Sequence, residues 1–262
     1  MRSLWVFFGS GFAALGIGAA VFTTLTSSAP EAIASEPART PAPGAVPVVV
    51  ELFTSEGCSS CPSADVVLAQ LERAQDVTGA EVVPIAFHVD YWDGIGWPDP
   101  FAMREATARQ RSYAPLGGGT YTPQAVIDGT AQMVGSRRGA VEAAITEAAK
   151  RPHVSVGVRT EGGGLEIVTG AHQARDAEIV VVTLQKSARV AVPRGENAGK
   201  TLDHTAIARG LRVVGPAPLG GGTTRTAIEL PSKLAPKDAR LVVLVQERGS
   251  RRILGARVVL LS

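Results

Sequence analysis

The sequence predicts an α/β domain followed by an antiparallel all-β, sandwich-like domain, on three observations. A β-branched run, Val48-Val49-Val50, leads into Ser63 to Leu71 with apolar residues at helical spacing, and then into a second apolar run around Val82 to Val89. That order is a strand–helix–strand unit with a parallel pair. From His153 onward the pattern changes to short apolar runs separated by Gly, Pro and Asn, with no helical stretch of comparable strength. The only two cysteines, Cys58 and Cys61, fall at the first strand-to-helix junction.

Composition narrows the function classes. A hydrophobic content of 45% with 19% charged residues is that of a globular protein. The net charge of +2 has no long basic run behind it, which argues against nucleic acid as a partner. Met1-Arg2 precedes an uncharged apolar stretch from Leu4 to Leu25, and Ala32-Ile33-Ala34 offers a small-x-small cleavage site before Ser35. Residues 1–34 therefore read as a signal peptide, with an uncleaved N-terminal membrane anchor through residues 4–25 as the alternative. Either way the body is expected to be exported, periplasmic or secreted, into a compartment where disulfides persist. Residues 35–46 form a Pro/Ala-rich linker, 47–151 the first domain and 152–262 the second.

Along the first domain, the strand ending at Thr54 passes through Cys58-Ser59-Ser60-Cys61 to a helix reaching about Ala74, with Pro62 in its first turn, where a missing N–H is tolerated. Glu81 to Val89 is the second strand. It delivers Asp90 to Pro100 to the C-terminal edge of the sheet, where α/β sites usually lie. Phe101 to Tyr113 reads as a polar helix, followed by the flexible Gly117-Gly118-Gly119 and by Tyr121-Thr122-Pro123-Gln124. Two short strands, Ala125 to Asp128 and Ala131 to Val134, turn at Gly129-Thr130, and Ser136 caps a helix through Val141, Ile145 and Ala148. In the second domain the expected strands are Val154–Val158, Leu165–Val168, Ile179–Leu184, Ala206–Val214, Thr224–Leu230, Leu241–Gln246 and Ile253–Leu260.

The cysteine pair carries the chemistry. An ordinary thiol near pKa 8.5 is only about 3% ionised at neutral pH, and a helix N-terminus favours the thiolate through its exposed N–H groups and dipole. Cys58 would attack a partner disulfide and Cys61, one turn on, would resolve the mixed disulfide. A purely structural disulfide across so short a ring would contribute only about 2 kcal/mol of loop entropy. A zinc site would need ligands that a single cysteine pair does not supply. Glu56, two residues before Cys58, would oppose the thiolate by its charge.

The order βαβ, helix, hairpin, helix is that of a thioredoxin fold. Glu51 to Pro62, His88 to Asp93, Trp97 to Phe101 and Tyr121 to Gln124 together resemble the exported thioredoxin-like family catalogued as domain of unknown function 1223. Arg194 to His204 is similar to it too, with Lys200 where Arg is expected; that glycine turn reads as a brace between domains or a partner-binding edge. The resemblance implies a cis Pro123 facing the cysteines, with the Thr122 backbone free to pair with an extended substrate. It also implies that Glu51 is the buried acid beneath the thiols, shuttling the proton of Cys61. Trp92 and Trp97 would line a groove for apolar peptide or cap the core.

The expected function is therefore an exported thiol–disulfide oxidoreductase acting on protein thiols and disulfides, with a redox donor or acceptor as partner. It needs no cofactor beyond the redox-active Cys58–Cys61 disulfide. The alternatives are a copper(I)-binding chaperone using Cys58, Cys61 and His88, soft sulfur suiting a soft ion, or a non-catalytic thioredoxin-like binding module.

Overall fold

The first strand, Val46–Thr54 (β1), is buried on both faces from Val48 onward, as a central strand with layers on each side must be. The computed structural model of the protein describes residues 40 and 42–261; the expected signal peptide or anchor and the start of the linker lie outside the described residues. After β1 comes the helix Cys61–Ala74 (α1), with Pro62 in its first turn and Gln75 ending it in the left-handed conformation. The strand Ala80–His88 (β2) pairs with β1 in parallel from Val46↔Ala80 to Thr54↔His88. The helix Arg104–Ser112 (α2) follows, then the strands Gln124–Ile127 (β3) and Ala131–Val134 (β4) and the helix Arg138–Ala149 (α3). Arg137, not Ser136, occupies the cap position of α3, and its side chain makes no capping bond.

Seven further strands complete the chain: Val156–Glu161 (β5), Gly164–Thr169 (β6), Ala177–Ala191 (β7), Thr201–Pro216 (β8), Gly222–Ala227 (β9), Ala239–Glu247 (β10) and Ile253–Leu260 (β11). The large sheet has eight strands in the order β11-β10-β7-β8-β2-β1-β3-β4. It is mixed: β8 joins β2 in parallel at Ala86↔Ile207, while β3 runs antiparallel to β1. The expected boundary at 151/152 is thus no break in the sheet, and the described residues belong to one compact unit. The reason is a shared core: Val49, Phe53, Ile85 and Phe87 pack in one cluster with Val180, Val182, Val242 and Leu244. Two packed β-layers do occur in the second half. The small antiparallel sheet β5-β6-β9 covers one face through Leu165 and Ile167, against Ile179, Val181, Leu241 and Val243. The larger layer, however, belongs to the common sheet.

Alternation along β1 positions everything that follows. Val48, Val50 and Leu52 face α1 and α3, packing on Ala64, Leu68, Leu71, Val141 and Ile145. Val49, Glu51 and Phe53 face the other way, toward α2, where Phe53 stacks on Phe87 at 5.5 Å and meets Tyr113 edge-on at 6.0 Å. Each such aromatic pair adds about 0.5–1.5 kcal/mol to the area it buries.

The β7–β8 hairpin departs most from the sequence reading. Its strands run 15 and 16 residues, far beyond the apolar cores Ile179–Leu184 and Ala206–Val214. The β7 extension alternates exposed and half-buried residues and the β8 extension exposed residues with the buried Leu202 and His204, and the two stay paired from Ser187↔Thr205 to Ala191↔Thr201. They carry the loop 192–200 back to the first strand-to-helix junction.

Candidate functional site

Cys58 and Cys61 form a disulfide with a Cα–Cα distance of 5.4 Å. Cys61 is the first residue of α1 and Cys58 sits in the turn before it, whose carbonyl accepts the Cys61 N–H at 3.2 Å. Ser59 and Ser60 are exposed, but Cys58 is only 1% exposed and Cys61 fully buried.

The cover comes from the β7–β8 loop. Asn197, itself fully buried, donates from Nδ2 to the carbonyls of Glu56 at 2.8 Å and Cys58 at 3.0 Å. Glu196 Oε2 accepts the Ser59 N–H at 2.9 Å. That bond holds the Glu196 carboxyl below its ordinary value. Gly195, at φ +83°, lies so close to Trp97 that an added Cβ would approach the Trp97 Cβ to 3.2 Å.

Behind the disulfide lies a buried set of carboxylates and imidazoles. His204 Nε2 meets Glu56 Oε1 at 3.0 Å, and Trp97 Nε1 donates to Glu56 Oε2 at 2.6 Å. The Glu56 charge expected to oppose the thiolate is therefore already partnered. His88 Nδ1 meets Asp99 Oδ2 at 2.7 Å, and Asp99 also accepts the Glu56 and Phe101 N–H groups, each at 2.8 Å. The two imidazole rings lie 5.0 Å apart, both edge-on to Phe101. Burial opposes ionisation of Asp99, but the His88 charge and its three donors outweigh burial and hold the carboxyl below its usual range. Burial likewise opposes protonation of His88, and Asp99, with Asp65 and Glu56 beyond it, outweighs that and holds the imidazole above its ordinary value.

Asp65 is the acid that sequence reasoning missed. It lies one helical turn after Cys61 on α1, and burial raises its carboxyl, with the charges of His204 and His88 only partly offsetting this. The available signal was a carboxylate at i+4 from the second cysteine, on a helix side flanked by the buried Ala64 and Leu68. Asn197 and Glu196 lie in the segment Arg194 to His204 that the sequence marks as a brace or partner-binding edge. Their bonds to the turn at Glu56 to Ser59 make it a brace, though its position at the cysteines depends on the length of β7 and β8.

Glu51 is not beneath the thiols. Strand alternation sends its side chain to the face opposite α1, where Arg109 Nε and the Tyr113 hydroxyl hold it. Arg109 continues to Gln246 Oε1 at 3.1 Å, and Gln246 to Glu178 at 2.9 Å, so the network ties α2 to β10 and β7. Burial works against the Arg109 charge, yet Glu51 raises its pKa further; the Tyr113 hydroxyl is raised by burial.

The remaining predicted residues do converge. The Thr122–Pro123 peptide is cis. Trp92 Nε1 donates to Thr122 Oγ1 at 2.9 Å, and the Trp92 Cβ lies 3.0 Å from where a Cβ on Gly57 would sit. Trp92 thus spans from the cysteine turn to the cis proline, while Trp97 binds Glu56. The backbone N–H and C=O of Thr122 have no hydrogen-bond partner among the described residues. His88 faces the interior, its Nδ1 taken by Asp99 and its Nε2 buried without a partner. Among the described residues no group of three or more His, Cys, Asp or Glu side chains is arranged to hold a metal ion. Nor is any helix among them long and apolar enough to cross a membrane.

Fold and site together define a mixed α/β protein whose single disulfide closes onto a helix N-terminus, with Trp92 linking the cysteine turn to a cis Thr122–Pro123 peptide. The chain belongs to the family described as "Protein of unknown function (DUF1223)", whose model matches residues 49–246. It is similar to a protein from Agrobacterium tumefaciens, a structural-genomics target whose X-ray crystal structure is solved. The two share 31% sequence identity and a TM-score of 0.70, over 84% of this chain and 96% of that one. No curated protein matches the chain.

Proposed function

We propose that the chain is an exported, thioredoxin-like thiol–disulfide oxidoreductase. The thioredoxin-like reading is supported by the parallel β1–α1–β2 unit, the β3–β4 hairpin antiparallel to β1, the flanking α3 and the cis Thr122–Pro123 peptide. Export is supported by the charged start and the apolar stretch from Leu4 to Leu25. The observation that carries the function is the Cys58–Cys61 disulfide at the start of α1, its turn linked by Trp92 to Thr122, whose backbone is unpaired among the described residues.

In the oxidised form a substrate thiolate attacks Cys58 Sγ, breaking the bond to Cys61 and leaving a mixed disulfide and a Cys61 thiolate. A second substrate thiolate then attacks the substrate sulfur of the mixed disulfide and releases Cys58. Two electrons pass to the protein, and the substrate leaves oxidised; the reverse sequence reduces a substrate disulfide. Asp65, buried one turn from Cys61, supplies or takes the Cys61 proton. With Cys58 1% exposed, the 192–200 loop withdraws before exchange.

Insulin reduction with a dithiol donor tests this reading. The protein should speed precipitation beyond the donor alone, and Cys58→Ser should abolish the gain; no gain from the native protein contradicts it. Burial of both cysteines beneath Asn197 favours a second reading, a binding module with a locked disulfide, and that reading predicts the negative result.

A further inference from the structure

The end of the sheet remote from the cysteines carries a cavity of about 630 Å³, within the range of about 300–1,000 Å³ typical of small-ligand sites. Asp128, at the β3–β4 turn, marks it by binding the Val49 N–H near the start of β1, whereas the cysteines follow the end of that strand. Arg151, His153 and His172 bring polar groups to its wall, and Val154, Ile253 and Leu254 bring apolar surface.

The polar groups divide by whether they are satisfied. Asp128 spends one oxygen on the Val49 N–H at 2.8 Å and turns the other to His153 Nε2 at 3.4 Å. Glu247 is occupied by Arg252 and by Ser250, each at 2.5 Å. Both carboxylates of the cavity are therefore engaged within the protein. Arg151 is not: one N–H reaches Thr130 Oγ1 at 2.5 Å, and it has no carboxylate partner among the described residues. His172 is 9% exposed, and both its ring nitrogens lack partners. A buried polar group left in that state costs about 1–3 kcal/mol. Among the groups still free, donors predominate, and what the cavity lacks is an acceptor.

We infer that this cavity binds a small organic carboxylate. The Arg151 guanidinium forks onto the two oxygens, a His172 ring N–H adds a third bond, and a short apolar body lies along Val154, Ile253 and Leu254. The site is independent of the disulfide chemistry, so Cys58→Ser leaves it intact.

An NMR titration of the full chain with hexanoate, read at the His172 ring, tests the inference. Hexanoate should give a saturable shift and hexan-1-ol none. Arg151→Gln should weaken binding about tenfold or more, since a charge-assisted pair is worth at least about 1.4 kcal/mol. Arg151→Lys, which keeps the charge but loses the fork, should fall between. The inference is overturned by no saturable shift at about 10 mM hexanoate, far above a millimolar Kd. It is equally overturned by undiminished binding in Arg151→Gln, or by inorganic phosphate binding as tightly as hexanoate.

Discussion

The protein buries carboxylates on both faces of β1, and the two sets are partnered differently. On the α2 face Glu51 is matched by Arg109, a cation that stays charged at every accessible pH. On the α1 face Glu56 and Asp99 are matched by the imidazoles of His204 and His88, and the charge of His88 depends on pH. The first arrangement ties α2 to β7 and β10 whatever the conditions. The second lies behind a disulfide whose exchange takes up and releases protons. The same residue chemistry thus serves a permanent brace in one place and a titratable environment in the other.

Four substitutions sharpen or break that contrast, from the largest effect to the smallest. Arg109→Met leaves Glu51 buried and unpaired, which should cost about 3–5 kcal/mol in urea denaturation. It should leave the rate of Cys58 alkylation in the reduced protein unchanged, because it acts on the other face.

His88 should reveal itself through pH. Its raised folded value means that its stabilisation is fully present below the unfolded value of about 6.5 and is lost as pH rises through the folded one. Unfolding free energy should therefore fall as pH rises above about 6.5 and through the raised folded value, and His88→Asn should flatten the fall. A slope unchanged in the variant would assign the titration elsewhere. Asp99 works in the opposite sense: its lowered carboxyl stabilises above about 3.9, and that contribution is lost as pH falls through the folded value.

Asn197→Ala removes two hydrogen bonds to buried carbonyls, at a cost of about 1–3 kcal/mol. It should also speed reduction of the Cys58–Cys61 disulfide by dithiothreitol, since the loop that covers Cys58 is loosened. Reduction at the native rate would mean that the loop is no barrier. Glu196→Gln is the mildest change. It should leave thermal stability where it is and quicken iodoacetamide alkylation of reduced Cys58, because it removes a negative charge hydrogen-bonded to the Ser59 N–H.

Much of this was legible because short-range patterns determine it. The strand–helix–strand unit, the β3–β4 hairpin and the cores of all seven later strands follow from apolar periodicity and turn residues, and structure and sequence agree there within a few residues. The joining of the halves was not legible. One parallel pair, Ala86↔Ile207, and a core shared between β2 and β7 are long-range facts without a local signature. The polar ends of β7 and β8 read as loops because their residues are mostly polar and no apolar run marks them, yet they are what brings Asn197 to Cys58. Glu51 was misplaced for a simpler reason. A strand residue one position from Leu52 goes to the opposite face, and here Leu52 is the one that meets α1.

The central claim is that Cys58 is the attacking sulfur and Cys61 the resolving one. Incubating reduced Cys61→Ser protein with an oxidised cysteine peptide, and separating the products under non-reducing conditions, tests this most directly. The account predicts a stable mixed disulfide at Cys58, with far less adduct on Cys61 in the Cys58→Ser protein. Equal adducts on the two variants, or none on either, would contradict it.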